Sequence, residues 1–104
     1  MASKSKLQKF AELANNPYVI EKNPTLKGKW NVDFFKNNFP ITLELACGKG
    51  DYTLGMAKLF PEKNFIGVDI KGNRLWSAAR IAELENLNNV AFIRDQIDHI
   101  DDYF

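Results

Sequence analysis

The sequence predicts an α/β fold in which helices cover both faces of an open, doubly wound parallel sheet. Two apolar strand patterns, at residues 41–45 and 64–70, are each followed by a segment with helical periodicity. A glycine turn joins the first strand to its helix, and a third apolar run, Val90–Arg94, follows the second helix. Strands that alternate with helices form parallel sheets. At 104 residues the chain holds at most one small domain.

The first 37 residues predict a basic helical arm and linker ahead of the sheet. Apolar residues recur on one face of a helix predicted over residues 3–13, and Asn15-Asn16-Pro17 ends it. Tyr18–Ile20 predicts a brief extended piece, and residues 23–28 a turn-rich linker. Seven lysines against three acidic residues give the segment about +4, so the rest carries about −3. Such an arm suits a polyanionic partner, and it also suits a solubilising tail.

An aromatic cluster follows the arm. Its members are Trp30, Phe34, Phe35 and Phe39. Aromatic residues at this density favour packing between a helix and the sheet, with a base-stacking platform as the alternative.

The stretch Ile41–Gly50 predicts a buried strand that runs into a tight glycine turn. Gly48 and Gly50 allow the backbone to turn sharply and to approach a ligand closely. The turn is not a dinucleotide fingerprint, because Thr53 stands where the third glycine is needed. It is not a P-loop either, because glycine follows Lys49. Glu44, near the end of the strand, can face a cationic ligand.

A helix is predicted from Asp51, as its N-cap, to Phe60, with apolar residues including Leu59 facing inward. Cys47 is the only cysteine, so the chain can form no internal disulfide, which fits a cytoplasmic protein. We interpret Cys47 as a small residue packed under the turn rather than as a nucleophile, since no histidine is near it in sequence.

Carboxylates follow the second and third predicted strands. Asp69, nineteen positions after Gly50, can accept both ribose hydroxyls of a nucleoside. Asp95 can accept a hydrogen bond from an adenine amino group, and Gln96 is next to it. Carboxyl ends of parallel strands meet at one sheet edge, where ligands bind. Each aspartate could instead be an ordinary surface residue.

The last helical segments complete the predicted fold. A long helix is predicted from residues 71–73 to about Leu87, with an apolar stripe widened by Ile81 and Leu84. Another helix is predicted to begin at residues 98–104. His99, the only histidine, is interpreted as a helix-surface residue.

The runs Leu43–Tyr52, Phe60-Pro61 and Asn64–Lys71 resemble the bacterial tRNA (guanine-N7-)-methyltransferases, which are class I S-adenosylmethionine-dependent enzymes. The opening Lys6–Glu12 is similar to the N-terminal arm of that family. The resemblance extends over nearly the whole chain. It implies the N-terminal half of a Rossmann-like class I methyltransferase fold, with residues 1–37 as the basic arm and linker and 38–104 as the cofactor-binding part.

The resemblance implies methyl transfer from S-adenosylmethionine to N7 of a guanosine in the tRNA variable region. It assigns cofactor binding to Glu44, Gly48, Gly50, Asp69, Asp95 and Gln96, and tRNA phosphate binding to the arm. Catalytic residues are expected beyond Phe104, since the family's Phe-Pro-Asp-Pro segment is not in this sequence. A methyltransferase of another substrate class and a non-catalytic adenosine- or tRNA-binding module are the alternatives. No metal ligand spacing and no membrane-spanning run are present, and the sequence leaves monomer and homodimer open.

Overall fold

The computed structural model describes residues 5–104 and contains one parallel sheet of four strands flanked by three helices. The strand order is β1-β4-β3-β2, and every neighbouring pair is parallel. Short 3-10 helices at Pro24–Leu26 and Ile97–Asp102 and a π-helical segment at Trp30–Phe35 fill the connections. The main elements in chain order are α1 Lys6–Asn15, β1 Val19–Ile20, β2 Ile41–Leu45, α2 Asp51–Leu59, β3 Asn64–Asp69, α3 Gly72–Leu84 and β4 Val90–Arg94.

The two central strands confirm the sequence prediction closely. Every residue of β3 is buried, as expected for a strand with both faces covered. The edge strand β2 differs: Leu43 is 38% and Leu45 is 48% exposed, although both were predicted to be buried. They lie beside Ile66 and Val68 on the same sheet face. Within residues 5–104, the aromatic residues that pack on this face bury the side chains of β3 but leave those of β2 partly exposed.

Helices and an aromatic segment pack on opposite faces of the sheet. Residues of α1, α2 and α3 form one core with Phe65 and Phe92. Trp30, Phe35 and Tyr103 form the other core with the opposite face of β3 and β4. The aromatic cluster is therefore core packing, as favoured, although Phe39 is 40% exposed.

The helices correct several details of the prediction. The central α3 stripe is buried as predicted, but Ile81 and Leu84, which were predicted to widen it, are 37% and 72% exposed. Leu59, predicted to face inward, is 71% exposed; Leu59 and Leu84 are the last residues of their helices. Asp51 is not the N-cap of α2. Gly50 is, with φ of +75°, and Asp51 is the first helical residue, where its carboxylate favours the positive end of the helix dipole. The segment predicted as a helix at residues 98–104 is a 3-10 helix.

The N-terminal segment packs against the sheet and α3. A capping box between Ser5 and Gln8 starts α1, while residues 3 and 4 of the predicted helix lie outside the described residues. The Nζ of Lys9 lies 3.2 Å from Oδ1 of Asn73, on α3. The predicted extended piece is β1, which adds a fourth strand beside β4. Across residues 5–104, no helix combines the length and apolar character that crossing a membrane requires.

Candidate functional site

A cavity of about 220 Å³ opens at the carboxyl edge of the sheet. The residues that end β2, β3 and β4 lie around it, so the parallel topology brings them together. Its lining consists of Ala46, Asp69, Ile70, Asp95, Gln96 and Ile97. Three of the six residues predicted to bind a cofactor, Asp69, Asp95 and Gln96, therefore share one cavity.

Asp69 is held by two backbone N–H groups. The N–H of Gly48 donates to Oδ2 at 2.8 Å, and the N–H of Lys71 donates to Oδ1 at 2.8 Å. Asp69 is only 7% exposed, so its orientation is fixed by the glycine turn on one side and by the start of α3 on the other. Each carboxylate oxygen has two lone pairs, so each oxygen keeps one acceptor position. Two adjacent hydroxyl groups on a ligand match these two positions.

Asp95 carries more protein donors than Asp69. Its Oδ1 accepts from the N–H of Gln96 at 2.7 Å and pairs with Nδ1 of His99 at 2.7 Å. Its Oδ2 accepts from the hydroxyl of Tyr103 at 2.7 Å. Burial raises the pKa of Asp95, but the hydrogen bonds from Tyr103, His99 and Gln96 outweigh it and the net shift of the pKa is downward. Asp95 is therefore ionised, with one acceptor position left, on Oδ2.

The glycine turn lies against the sheet and α3 with little space to spare. Gly50 has φ of +75°, and a Cβ added there would lie 2.9 Å from Cβ of Ala78 and 3.0 Å from Cε1 of Phe92. Only glycine satisfies both the backbone angle and the close contact. Gly48 also has a positive φ, +59°, and this conformation accompanies its N–H bond to Asp69. The turn thus couples the end of β2 to the carboxylate of β3.

Cys47 lies under the turn, as interpreted from the sequence. A Cβ added at Gly67 would lie 2.8 Å from Sγ of Cys47. Burial, followed by the charges of Asp69 and Glu44, raises the pKa of Cys47 to about 12. The thiol therefore stays protonated at neutral pH and is not a nucleophile.

Glu44 lies apart from the cavity lining. The hydroxyl of Thr53, in the first turn of α2, donates to its Oε1. Thr53 is 1% exposed, so it fixes one oxygen of a carboxylate that is only half-buried. In the sequence Thr53 stands out only where a third glycine is missing, although a hydroxyl nine residues after the acid was the available signal. Within residues 5–104, no group of acidic, cysteine or histidine side chains could hold a metal ion.

Sequence reasoning also missed Tyr103 and the contact of His99. His99 lies on the exposed 3-10 helix that follows Asp95, but its ring faces that carboxylate. The i, i+4 spacing of an aspartate and a histidine was a weak signal for this contact. Tyr103, eight residues after Asp95, gave no local signal, because its contact depends on the turn between them.

The known proteins that this chain is similar to are methyltransferases. The model of a family described as putative methyltransferases matches residues 38–104. The tRNA (guanine-N(7)-)-methyltransferase of Bacteroides fragilis is 48% identical over 109 residues, which cover 97% of this chain and 43% of that protein. The enzyme of the same name from Christiangramia forsetii is 50% identical over 112 residues, which cover 100% of this chain and 50% of that protein. The chain thus spans about half the length of the curated relatives it matches.

Solved structures with the same architecture are methyltransferases. The plantazolicin methyltransferase BamL, in complex with a triazolic desmethylPZN analogue and SAH, superposes with a TM-score of 0.53 at 16% identity, over 96% of this chain and 31% of that chain. Coclaurine N-methyltransferase, bound to N-methylheliamine and SAH, gives 0.53 at 15% identity, over 92% and 39%. These likenesses confirm the predicted fold class.

Proposed function

The chain belongs to the putative methyltransferase family, and from this premise we propose that it forms the S-adenosylmethionine-binding part of a tRNA (guanine-N7-)-methyltransferase. The observation that carries the proposal is the pattern of acceptor positions in the cavity. Asp69 keeps one position on each oxygen, and Asp95 keeps one on Oδ2. Adenosine presents two vicinal ribose hydroxyls and one exocyclic amino group, which match these three positions in number and kind.

Three of the remaining predicted residues would serve the methionine end of the cofactor. Gly48 and Gly50 would form the turn that receives it, and Glu44 would be the carboxylate for its ammonium group. Thr53 holds Glu44 in place through its hydroxyl. Gln96 contributes through its backbone, whose N–H fixes Asp95.

The mechanism we propose needs positioning rather than proton transfer. Bound S-adenosylmethionine supplies an electrophilic methyl group on a sulfonium, and guanine N7 is a nucleophile with an exposed lone pair. Asp69 and Asp95 would hold the adenosine and Glu44 would orient the methionine end, so that these residues position the methyl donor. No carboxylate of this chain moves a proton.

The basic N-terminal segment is proposed to bind tRNA phosphate. Residues 1–37 form this arm and residues 38–104 the cofactor-binding part, and the protein acts in the cytoplasm together with its tRNA. The ring of Trp76, on α3, contacts Lys9 of this segment and Arg80 of α3 itself: Nζ of Lys9 lies 4.8 Å and the guanidinium of Arg80 lies 5.9 Å from its centroid. These cations lie on one surface formed by α1 and α3.

The test is a chimera in which this chain replaces the matching segment of the Bacteroides fragilis relative. The purified chimera is assayed for transfer of a labelled methyl group to tRNA, and it is expected to be active. The same chimera with Asp69→Ala is expected to lose S-adenosylmethionine binding and activity. Equal labelling of tRNA that lacks the target guanosine, or a folded but inactive chimera, would contradict the proposal.

A further inference from the structure

The carboxylate of Asp95 separates two cavities. On one side is the cavity that it shares with Asp69. On the other is a second cavity of about 400 Å³, lined by Lys22, Pro24, Asp95, His99, Asp102 and Tyr103. Two of the side chains that hold Asp95, those of His99 and Tyr103, line this second cavity and not the first. Asp95 is thus held from the side that faces away from the proposed adenine.

The two supports differ in how firmly they are fixed. Tyr103 is 1% exposed; its hydroxyl accepts from the N–H of Lys22 at 3.2 Å, and its carbonyl accepts from Nε1 of Trp30 at 2.8 Å. The side chain of His99 is 51% exposed, and its ring pairs with Asp95. An ionised carboxylate only accepts, so Nδ1 of His99 must carry the hydrogen of this bond. Tyr103 is a fixed support, whereas His99 is an adjustable one.

We infer that His99 is a positioning residue for Asp95, which it holds from the second cavity so that the free position on Oδ2 stays directed at the adenine amino group. The inference rests on the proposed cofactor. Without the imidazole, Oδ1 keeps only the N–H of its neighbour Gln96, so the carboxylate is held less firmly, by that bond and by the hydroxyl of Tyr103 on Oδ2. His99 itself does not touch the adenosine cavity, so it acts only through Asp95.

The charges around His99 make this support sensitive to pH. The hydrogen bond to Asp95 and the charge of Asp95 raise the pKa of His99 above its ordinary value of 6.5, and Asp102 and Asp98 add to the shift. Lys22 is the cation that lines the same cavity. As pH rises through the raised pKa, the charge-assisted bond becomes a weaker neutral bond. Cofactor affinity then falls, and by reciprocity a bound cofactor raises the pKa of His99.

The test is calorimetric titration with S-adenosylhomocysteine at about pH 6 and about pH 8.5, on either side of the titration of a histidine. We expect wild-type affinity to fall about threefold at the higher pH, since a neutral imidazole makes a weaker bond to the carboxylate than an imidazolium does. His99→Ala is expected to bind about fivefold more weakly at about pH 6 and to show no pH step. His99→Asn keeps an N–H donor, so it should recover part of the affinity without recovering the step.

A second readout follows the imidazole directly. His99 is the only histidine, so its ring signals in a proton NMR titration are unambiguous. Added S-adenosylhomocysteine should raise its pKa, and Asp95→Asn should lower it. Wild-type protein that binds the ligand, with His99→Ala showing the same affinity and pH profile, overturns this inference and leaves the proposed function standing. Wild-type protein that binds no S-adenosylhomocysteine at either pH overturns both.

Discussion

Substitution of Gly50 by alanine tests how closely the glycine turn is packed. An L-residue at φ of +75° costs about 1 to 2 kcal/mol. The added methyl group would lie 2.9 Å from Cβ of Ala78 and 3.0 Å from Phe92, and relieving such overpacking costs about 1 to 3 kcal/mol. The sum is about 2 to 5 kcal/mol. Since Ala78 and Phe92 are both fully buried, neither can move without disturbing the core.

Three other glycines separate the two contributions. Gly28 has φ of +73° with nothing within 4 Å, so its alanine variant should show only the backbone cost of about 1 to 2 kcal/mol. Gly67 has the steric contact, 2.8 Å to Sγ of Cys47, without a positive φ, so its variant should show only the overpacking cost. Gly55, inside α2, has open space, and alanine there should stabilise by about 0.5 to 1 kcal/mol.

Urea unfolding, followed by far-ultraviolet circular dichroism, measures the free energy of unfolding of all four variants. The expected order of stability is Gly55→Ala above wild type, then the single-cost variants Gly28→Ala and Gly67→Ala, with Gly50→Ala lowest. A Gly50→Ala variant no less stable than Gly28→Ala would contradict this prediction, because the contacts with Ala78 and Phe92 would then not lower the free energy of unfolding.

Three further perturbations follow from the site and its supports. Asn89→Leu should destabilise by about 2 to 3 kcal/mol in urea unfolding, because its buried amide donates to the carbonyls of residues 57, 60 and 63. The carbonyl of Phe60 would keep the N–H of Lys63, whereas those of residues 57 and 63 would lose this donor; an unchanged midpoint would contradict the prediction. Thr53→Val preserves the shape of the side chain but removes the donor to Glu44. S-adenosylhomocysteine should therefore bind about five- to tenfold more weakly, with a smaller change in stability than Asn89→Leu causes. Unchanged binding would count against the role of Glu44. The pKa of Cys47 is about 12 in the folded state and 9.0 when unfolded. Its contribution to the free energy of unfolding is therefore complete below pH 9.0 and is lost as pH rises toward 12. Iodoacetamide should label the thiol only in urea. Equal labelling rates in buffer and in urea would show that the thiol is accessible and reactive in the fold.

The parts of the fold that were predictable are those with a complete local pattern. The apolar run of β3 and the α3 residues 75, 78, 79 and 82 are buried as predicted, whereas Ile70, Ile81 and Leu84, which belong to the same patterns, are exposed. The exposure of Leu43 and Leu45 was not predictable, because it depends on which strand lies at the sheet edge and not on the pattern within β2. The strand β1 was foreseen only as an extended piece, since two residues carry no periodicity.

At the site, the sequence indicated the carboxylates but not their supports. The order of Asp69 and Asp95 after their strands placed them at one edge, because parallel strands share a direction. Asp51 was predicted as the N-cap of α2, but Gly50 occupies that position. The left-handed backbone conformation of Gly50 could not be predicted from the acidic residue beside it. Thr53 and His99 contact their carboxylates through geometry that only the folded turns create.

The most direct test of the central claim is calorimetric titration of S-adenosylhomocysteine into the wild-type chain and into Asp69→Ala, with Asp33→Ala as a charge-matched control at an exposed position of the aromatic segment. We expect a single binding site in the wild type and in Asp33→Ala, and loss of binding in a folded Asp69→Ala. Binding that survives Asp69→Ala, or its absence from a folded wild-type chain, would contradict the assignment of this cavity to the adenosine of the cofactor.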